Sequence, residues 1–197
     1  GTVLSLDGSS HLVATNVMSA VTGTAARAIS FWAKLASTST TTRTAFSYGD
    51  SSASCTLTMP GSSSTLYTVN SGTSTASSGT PITTTWQHII LSYSGGNDSS
   101  SLTTVYLNGV SAVTSSTAIF GTTGTSNPLN IGYNFTGSDS NFTGYISDFR
   151  VYPREITSSV ISTMNTNGPN DGNITVTGVV TNETTSLNNG AIVLTVT

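Results

Sequence analysis

The feature that most constrains this chain is its punctuation. Short apolar runs alternate with clusters of Gly, Ser, Asn and Asp along nearly the whole length. The runs fall at 2–6, 11–14, 28–35, 43–49, 54–60, 64–70, 86–94, 102–109, 110–114, 128–134 and 143–152. Each suits a strand, because Val, Ile, Thr, Tyr and Phe pack well on a pleated surface. The clusters between them hold the residues that tolerate turn geometry. Asn108-Gly109 fits the two-residue type I′ hairpin turn. Many short strands without helical alternation predict an all-β, two-sheet antiparallel sandwich.

One stretch breaks the pattern. Residues 156–164 place Ile156, Val160 and Met164 at helical spacing, with Thr157 positioned to cap. A segment rich in Asn, Gly and Pro follows and reads as a linker. The predicted organisation is a sandwich over 1–165, a linker over 166–173 and a short C-terminal β-rich tail over 174–197.

Composition removes several function classes. Only 7% of residues are charged, against roughly 25% in an average globular domain. Five basic residues and no basic patch argue against nucleic-acid binding. No apolar run approaches the roughly 18 residues of a membrane-spanning helix. The single cysteine, Cys55, excludes an internal disulfide and reads as a buried small side chain.

Catalysis is not expected. Glycoside hydrolysis needs two carboxylates facing each other. The chain has two glutamates, Glu155 in the connector and Glu183 in the tail, and six scattered aspartates. No phosphate loop, nucleophile elbow or zinc spacing appears. His88 reads as a hydrogen-bonded structural residue within a strand, and His11 as strand-embedded. Asp148 reads as a carboxylate bonded to loop amides or paired with Arg150 or Arg154, and Asp7 as a turn carboxylate.

Several segments occur together in a telling order: LSLDGSSHLV, AISFWAKL, WQHIILSYSG, VYLNGV, PLNIGYN and GYISDFRVYPREIT. The ordered set resembles the laminin-G-like, concanavalin-A-like jelly roll over roughly residues 1–165. The resemblance implies two antiparallel sheets packed face to face, with sugar or Ca²⁺ binding at loops on one rim. Trp32, Trp86, Tyr106, Phe149 and Tyr152 are the expected core aromatics. Calcium needs six to eight oxygens. The candidate donors are Asp139 and Asn141 in one loop and Asn97 and Asp98 in another. Tyr133, Phe135 and Phe142 are candidates to stack on a sugar.

Five N-glycosylation sequons begin at Asn97, Asn134, Asn141, Asn173 and Asn182. All fall on predicted loops or strand ends. Attached sugars would help to solubilise a chain with so few charges.

The tail raises its own question. Two alternating runs present Ile174 and Val176, then Ile192, Leu194 and Val196. A lone hairpin is marginal in water. The tail can pack on its own sandwich, open a further immunoglobulin-like domain, or pair with a neighbouring molecule by strand addition. The last option makes head-to-tail polymers. The sequence-based expectation is therefore a non-enzymatic extracellular structural subunit, self-assembling by C-terminal strand exchange into a fibre or coat. The alternative is a carbohydrate-binding, lectin-like adhesion module of a larger surface protein or virion. No cofactor is expected apart from Ca²⁺. The expected partners are the chain itself and glycans, and the expected location is extracellular or at a cell or virion surface.

Overall fold

The computed structural model describes residues 3–15, 21–37, 41–50, 53–59, 68–70, 75–77, 83–117, 120, 123–125, 127–135, 140–168, 174–176 and 192–194. The strands are β1 (Leu4–Asp7), β2 (Leu12–Ala14), β3 (Arg27–Leu35), β4 (Arg43–Asp50), β5 (Ala53–Met59), β6 (Thr68–Asn70), β7 (Thr75–Ser77) and β8 (Gln87–Tyr93). They continue as β9 (Thr103–Leu107), β10 (Val110–Ser115), β11 (Asn127–Ile131), β12 (Ser140–Asn141) and β13 (Thr143–Tyr152). A helix, α1 (Ser158–Asn167), follows, and then β14 (Ile174–Val176) and β15 (Ile192–Leu194). β7 and β12 have no counterpart in the sequence reading. Neither Thr-Ala-Ser nor Ser-Asn carries an apolar alternation to detect.

Two sheets form the sandwich. One has the order β1-β13-β3-β8-β9-β10, and its pairs are antiparallel. The other runs β2-β11-β4-β5-β6-β7, with β12 added in parallel to β4. First and last strands of the body therefore lie side by side, as β1 pairs β13. The all-β jelly-roll expectation holds.

Alternation along each strand sends one set of side chains between the sheets. Phe31, Phe46 and Phe149 form the centre. Phe31 stacks on Phe149 at 5.4 Å, and Phe46 meets both edge-on at 6.1 and 5.9 Å. Tyr48, Leu57, Ile89, Leu91, Tyr93, Phe120 and Phe142 extend this core. Each fully buried side chain of this kind contributes about 1.5–3 kcal/mol.

The expected core aromatics are only partly right. Phe149 is in the core, but Trp32 lies on the outer face of β3 and Trp86 is half-buried. Tyr106 and Tyr152 belong to a second, smaller cluster with Ala28, Ile90, Ile156 and Ile161. That cluster joins α1 to the outer face of the six-stranded sheet. This is why β3 and β8 are buried on both faces, with Ile156 N–H donating to Ser92 Oγ (3.4 Å).

The helix differs in detail from its prediction. Ile161 is the buried residue of α1, whereas Val160 is 47% exposed. Thr157 stands at the N-cap, but its hydroxyl meets Ser159 Oγ (3.1 Å) and makes no capping bond to the backbone.

β13 carries a register shift between Ser147 and Arg150, where Asp148 adopts φ 52°. Ile146 faces the core before the shift, and Phe149 and Val151 face it afterwards. Asn108 (φ 51°) and Gly109 (φ 82°) make the tight β9–β10 turn that the Asn-Gly pair predicted.

In the tail, Ile174 pairs with Leu194 and Val176 with Ile192, antiparallel and within one chain. β14 also runs close to β13 of the same body. Val196 lies outside the described residues.

Candidate functional site

Strand register fixes which loops share an end of the sandwich. Asp7 pairs with Thr143, and Gly144 with Leu35, so these mark one end. Arg27 pairs with Tyr93, and Tyr93 with Thr103, at the other. At about 3.3 Å per residue the nine residues of β3 separate the two ends by roughly 27 Å.

The first end holds a built rim. Asp7 Oδ1 accepts the N–H groups of Ser9 and Ser10 (both 2.9 Å) and the Ser9 hydroxyl (2.8 Å). These bonds hold the Asp7 carboxyl well below the usual carboxylate range. Asp7 is thus the turn carboxylate that the sequence suggests. The turn delivers His11, an exposed residue, to the ring of Tyr133. The two rings stack at 4.5 Å between centroids, 20° from parallel.

Tyr133 sits on the segment after β11, and that segment is anchored to β4. Gly132 N–H donates to Ala45 O (2.7 Å), and Phe142 N–H donates to Gly132 O (2.9 Å). Ser47 Oγ donates to Tyr133 O (2.6 Å) and accepts Phe135 N–H (3.3 Å). One serine therefore sets two aromatic residues, Tyr133 and Phe135, both half-buried. Phe142 is fully buried and belongs to the core rather than the rim. The sequence pattern places His11 within a strand, yet it stands just before β2 and is exposed. Nothing in the sequence announces its stack, because the two rings come from segments far apart along the chain.

The two candidate metal loops lie at opposite ends. Asn141, on β12 at the first end, is half-buried. Asn97 and Asp98 are exposed in the β8–β9 loop at the opposite end. There Asp98 Oδ1 accepts Ser100 N–H (2.9 Å), Ser100 Oγ (2.6 Å) and Ser101 Oγ (3.3 Å), which lowers its pKa. Asp139 lies outside the described residues. Among the described residues no group of three or more His, Cys, Asp or Glu could hold a metal ion.

The sequons also differ among themselves. Asn97 is exposed and Asn141 half-buried, whereas Asn134 is only 2% exposed and does not present its amide to solvent in the folded chain. Asn173 and Asn182 lie outside the described residues.

Of the titratable residues, Asp148 is bound by Arg150. Its Oδ1 accepts both Nε and Nη2 at 2.7 Å. Glu155 is exposed between β13 and α1, and Glu183 lies outside the described residues. His88 is buried at 2% exposure, bonded through Nε2 to Ser30 Oγ (2.9 Å), as its structural reading predicts. Among the described residues no helix is long and apolar enough to cross a membrane.

Solved structures share this architecture. Domain 4 of an extracellular arabinanase from Geobacillus stearothermophilus, in complex with arabinotriose, matches at 20% identity with a TM-score of 0.60, over 83% of this chain and 87% of that one. A heptameric SAP-like pentraxin from Limulus polyphemus matches at 18% identity and a TM-score of 0.65, over 97% and 93%. A putative carbohydrate binding protein from Bacteroides ovatus matches at 20% identity and a TM-score of 0.61, over 78% of this chain. The chain spans less than half of that protein, 44% of its length. Comparison with curated proteins gives no significant match. At these identities the likenesses show the fold alone. The family model described as the concanavalin A-like lectin/glucanases superfamily matches residues 6–162. With the ordered motifs and the two-sheet topology, this settles membership: the chain belongs to the concanavalin A-like lectin/glucanase superfamily.

Proposed function

We propose that this chain is a non-catalytic carbohydrate-binding module of a secreted or surface protein, taking its glycan at the rim formed by His11, Tyr133 and Phe135. The stacked His11–Tyr133 pair carries the reading. An aromatic face at a rim suits the apolar face of a sugar ring, while the surrounding hydroxyls and amides suit its polar edge. Ser9, Ser10 and Asn141, at the same end of the sandwich, supply such groups. Anchoring by Ser47 orders the platform before a ligand arrives, which reduces the entropic cost of binding. The family and the carbohydrate-binding neighbours support the ligand class.

A glycan array followed by calorimetry tests this. Tyr133→Ala should weaken the best glycan roughly tenfold, as loss of one stacking ring does, without changing the melting temperature of the body. Runs with calcium and with chelator should agree. Equal affinity of wild type and Tyr133→Ala would remove the rim from consideration.

A further inference from the structure

A second aromatic surface lies on the outer face of the six-stranded sheet. Lys34 is the only lysine of the chain. Its Nζ lies 4.8 Å from the centroid of the Tyr145 ring and 5.2 Å from that of Trp86. The register explains the arrangement. Tyr145 pairs directly with Lys34, and Trp86 immediately precedes Gln87, which pairs with Ala33. The three residues thus form a row across β13, β3 and the start of β8. Adjacent strands lie about 4.8 Å apart, so the two rings stand about 10 Å from each other with the ammonium between them.

The row is accessible. Tyr145 is 37% exposed, and Lys34 and Trp86 are half-buried. The Lys34 ammonium meets two aromatic rings, whereas Arg150 meets a carboxylate, that of Asp148. In a chain where only 7% of residues are charged, this outer-face cation is flanked by two aromatic rings. The rings hold the lysine stem in place, and the ammonium keeps its hydrogen-bonding capacity for a ligand.

We infer that Tyr145, Lys34 and Trp86 form a subsite for a carboxylate-bearing saccharide, with one sugar ring against Tyr145 or Trp86 and its acid group on Lys34. The subsite is separate from the loop rim and shares with the proposed function only the ligand class. Charge complementarity selects an acidic sugar over a neutral one, and the aromatic pair gives affinity without reading the identity of every hydroxyl.

The test uses the whole chain and tryptophan fluorescence, since Trp86 is one of only two tryptophans. Trigalacturonate should shift the emission and bind about fivefold more tightly than an uncharged trisaccharide, the scale of one exposed ion pair. That preference should shrink as salt rises. Lys34→Gln should erase the preference while leaving neutral-sugar binding in place, and Tyr145→Ala should weaken both sugars. Tyr133→Ala, at the rim, should leave trigalacturonate binding on this face unchanged, which separates this subsite from the rim. A sulfated disaccharide binding better than trigalacturonate would overturn the carboxylate assignment. Equal binding of charged and neutral sugars, an unaltered Lys34→Gln variant, or no binding of either sugar would overturn the subsite.

Discussion

Trp32 and His88 lie face to face on neighbouring strands, their ring centroids 4.9 Å apart and their planes 12° from parallel. The pairing of β3 with β8 places them directly opposite. Burial, and secondarily the charge of Arg150, pulls the His88 pKa down from 6.5 to about 4. The imidazole is therefore held neutral. Its Nε2 meets Ser30, while Nδ1 has no hydrogen-bond partner among the described residues. Above about pH 6.5 neither the folded nor the unfolded chain protonates His88. Between 6.5 and 4 the unfolded chain takes up a proton that the folded chain refuses. Stability should drop across that window by up to roughly 3 kcal/mol, and this residue should add nothing further below pH 4. Urea midpoints at pH 4, 5, 6 and 7 would show the slope, and His88→Gln should flatten it.

Arg27 is fully buried at the other end of β3. Its guanidinium donates to Val21 O, to Gly23 O (2.8 Å) and to Phe120 O (2.8 Å), and it lies over the rings of Tyr93 and Phe120. One side chain thus ties two connecting segments to the sandwich. Arg27→Met should cost about 2–4 kcal/mol, because carbonyl oxygens lose their donors where water does not reach. Chemical denaturation would measure the loss, and a change under about 1 kcal/mol would mean that the carbonyls find water instead.

Cys55 is buried opposite Tyr48, and desolvation pushes its thiol up to about 12. A thiol without thiolate and without access does not react. Iodoacetamide at pH 8 should leave the native protein unlabelled and label it fully in denaturant, as read by intact mass. Rapid native labelling would show that the β4–β5 pair opens readily.

Gly144 adopts φ 152°, and a Cβ there would stand 2.3 Å from the Lys34 carbonyl oxygen. That oxygen is backbone on a central strand and cannot step aside. Gly144→Ala should therefore disturb the β13–β3 pairing and destabilise by about 2 kcal/mol or more. Gly109→Ala should cost about 1 kcal/mol, since a Cβ there meets only the Asn165 side chain at ordinary distance, 3.4 Å. Thermal melts of the two variants, compared in one buffer, would rank them.

The sandwich was legible because its signals are local. Strand alternation, the Asn108-Gly109 turn and the closing GYISDFRVY segment each depend on neighbours along the chain. The side of the sheet was harder. Trp32 and Tyr106 alternate as core residues do, and only the docking of α1 shows that Tyr106 faces the helix instead. Ile156 misled in a different way. It precedes Ser158, the first residue of α1, so counting the helical period from it lands on Val160 rather than Ile161. The rim was half legible. The family resemblance points to Tyr133, Phe135 and Phe142, of which Phe142 is buried in the core, and His11 and Ser47 join the first two only through the fold. The two candidate donor loops lie at opposite ends of the sandwich, which sequence alone does not say.

β13 behaves as two strands of opposite parity spliced into one. Even-numbered Ile146 faces inward before the splice, and odd-numbered Phe149 and Val151 face inward after it. Asp148, at φ 52°, is the splice. An uninterrupted strand would have turned Arg150 and Tyr152 into the interior and put Phe149 in their place outside. Flattening the bulge with every residue kept would turn the second half inside out, with a guanidinium where a phenyl ring now sits, whereas deleting Asp148 would leave Phe149 and Val151 facing inward. The left-handed aspartate is the point at which the chain changes step, and the same carboxylate then holds the arginine that the change of step has kept outside.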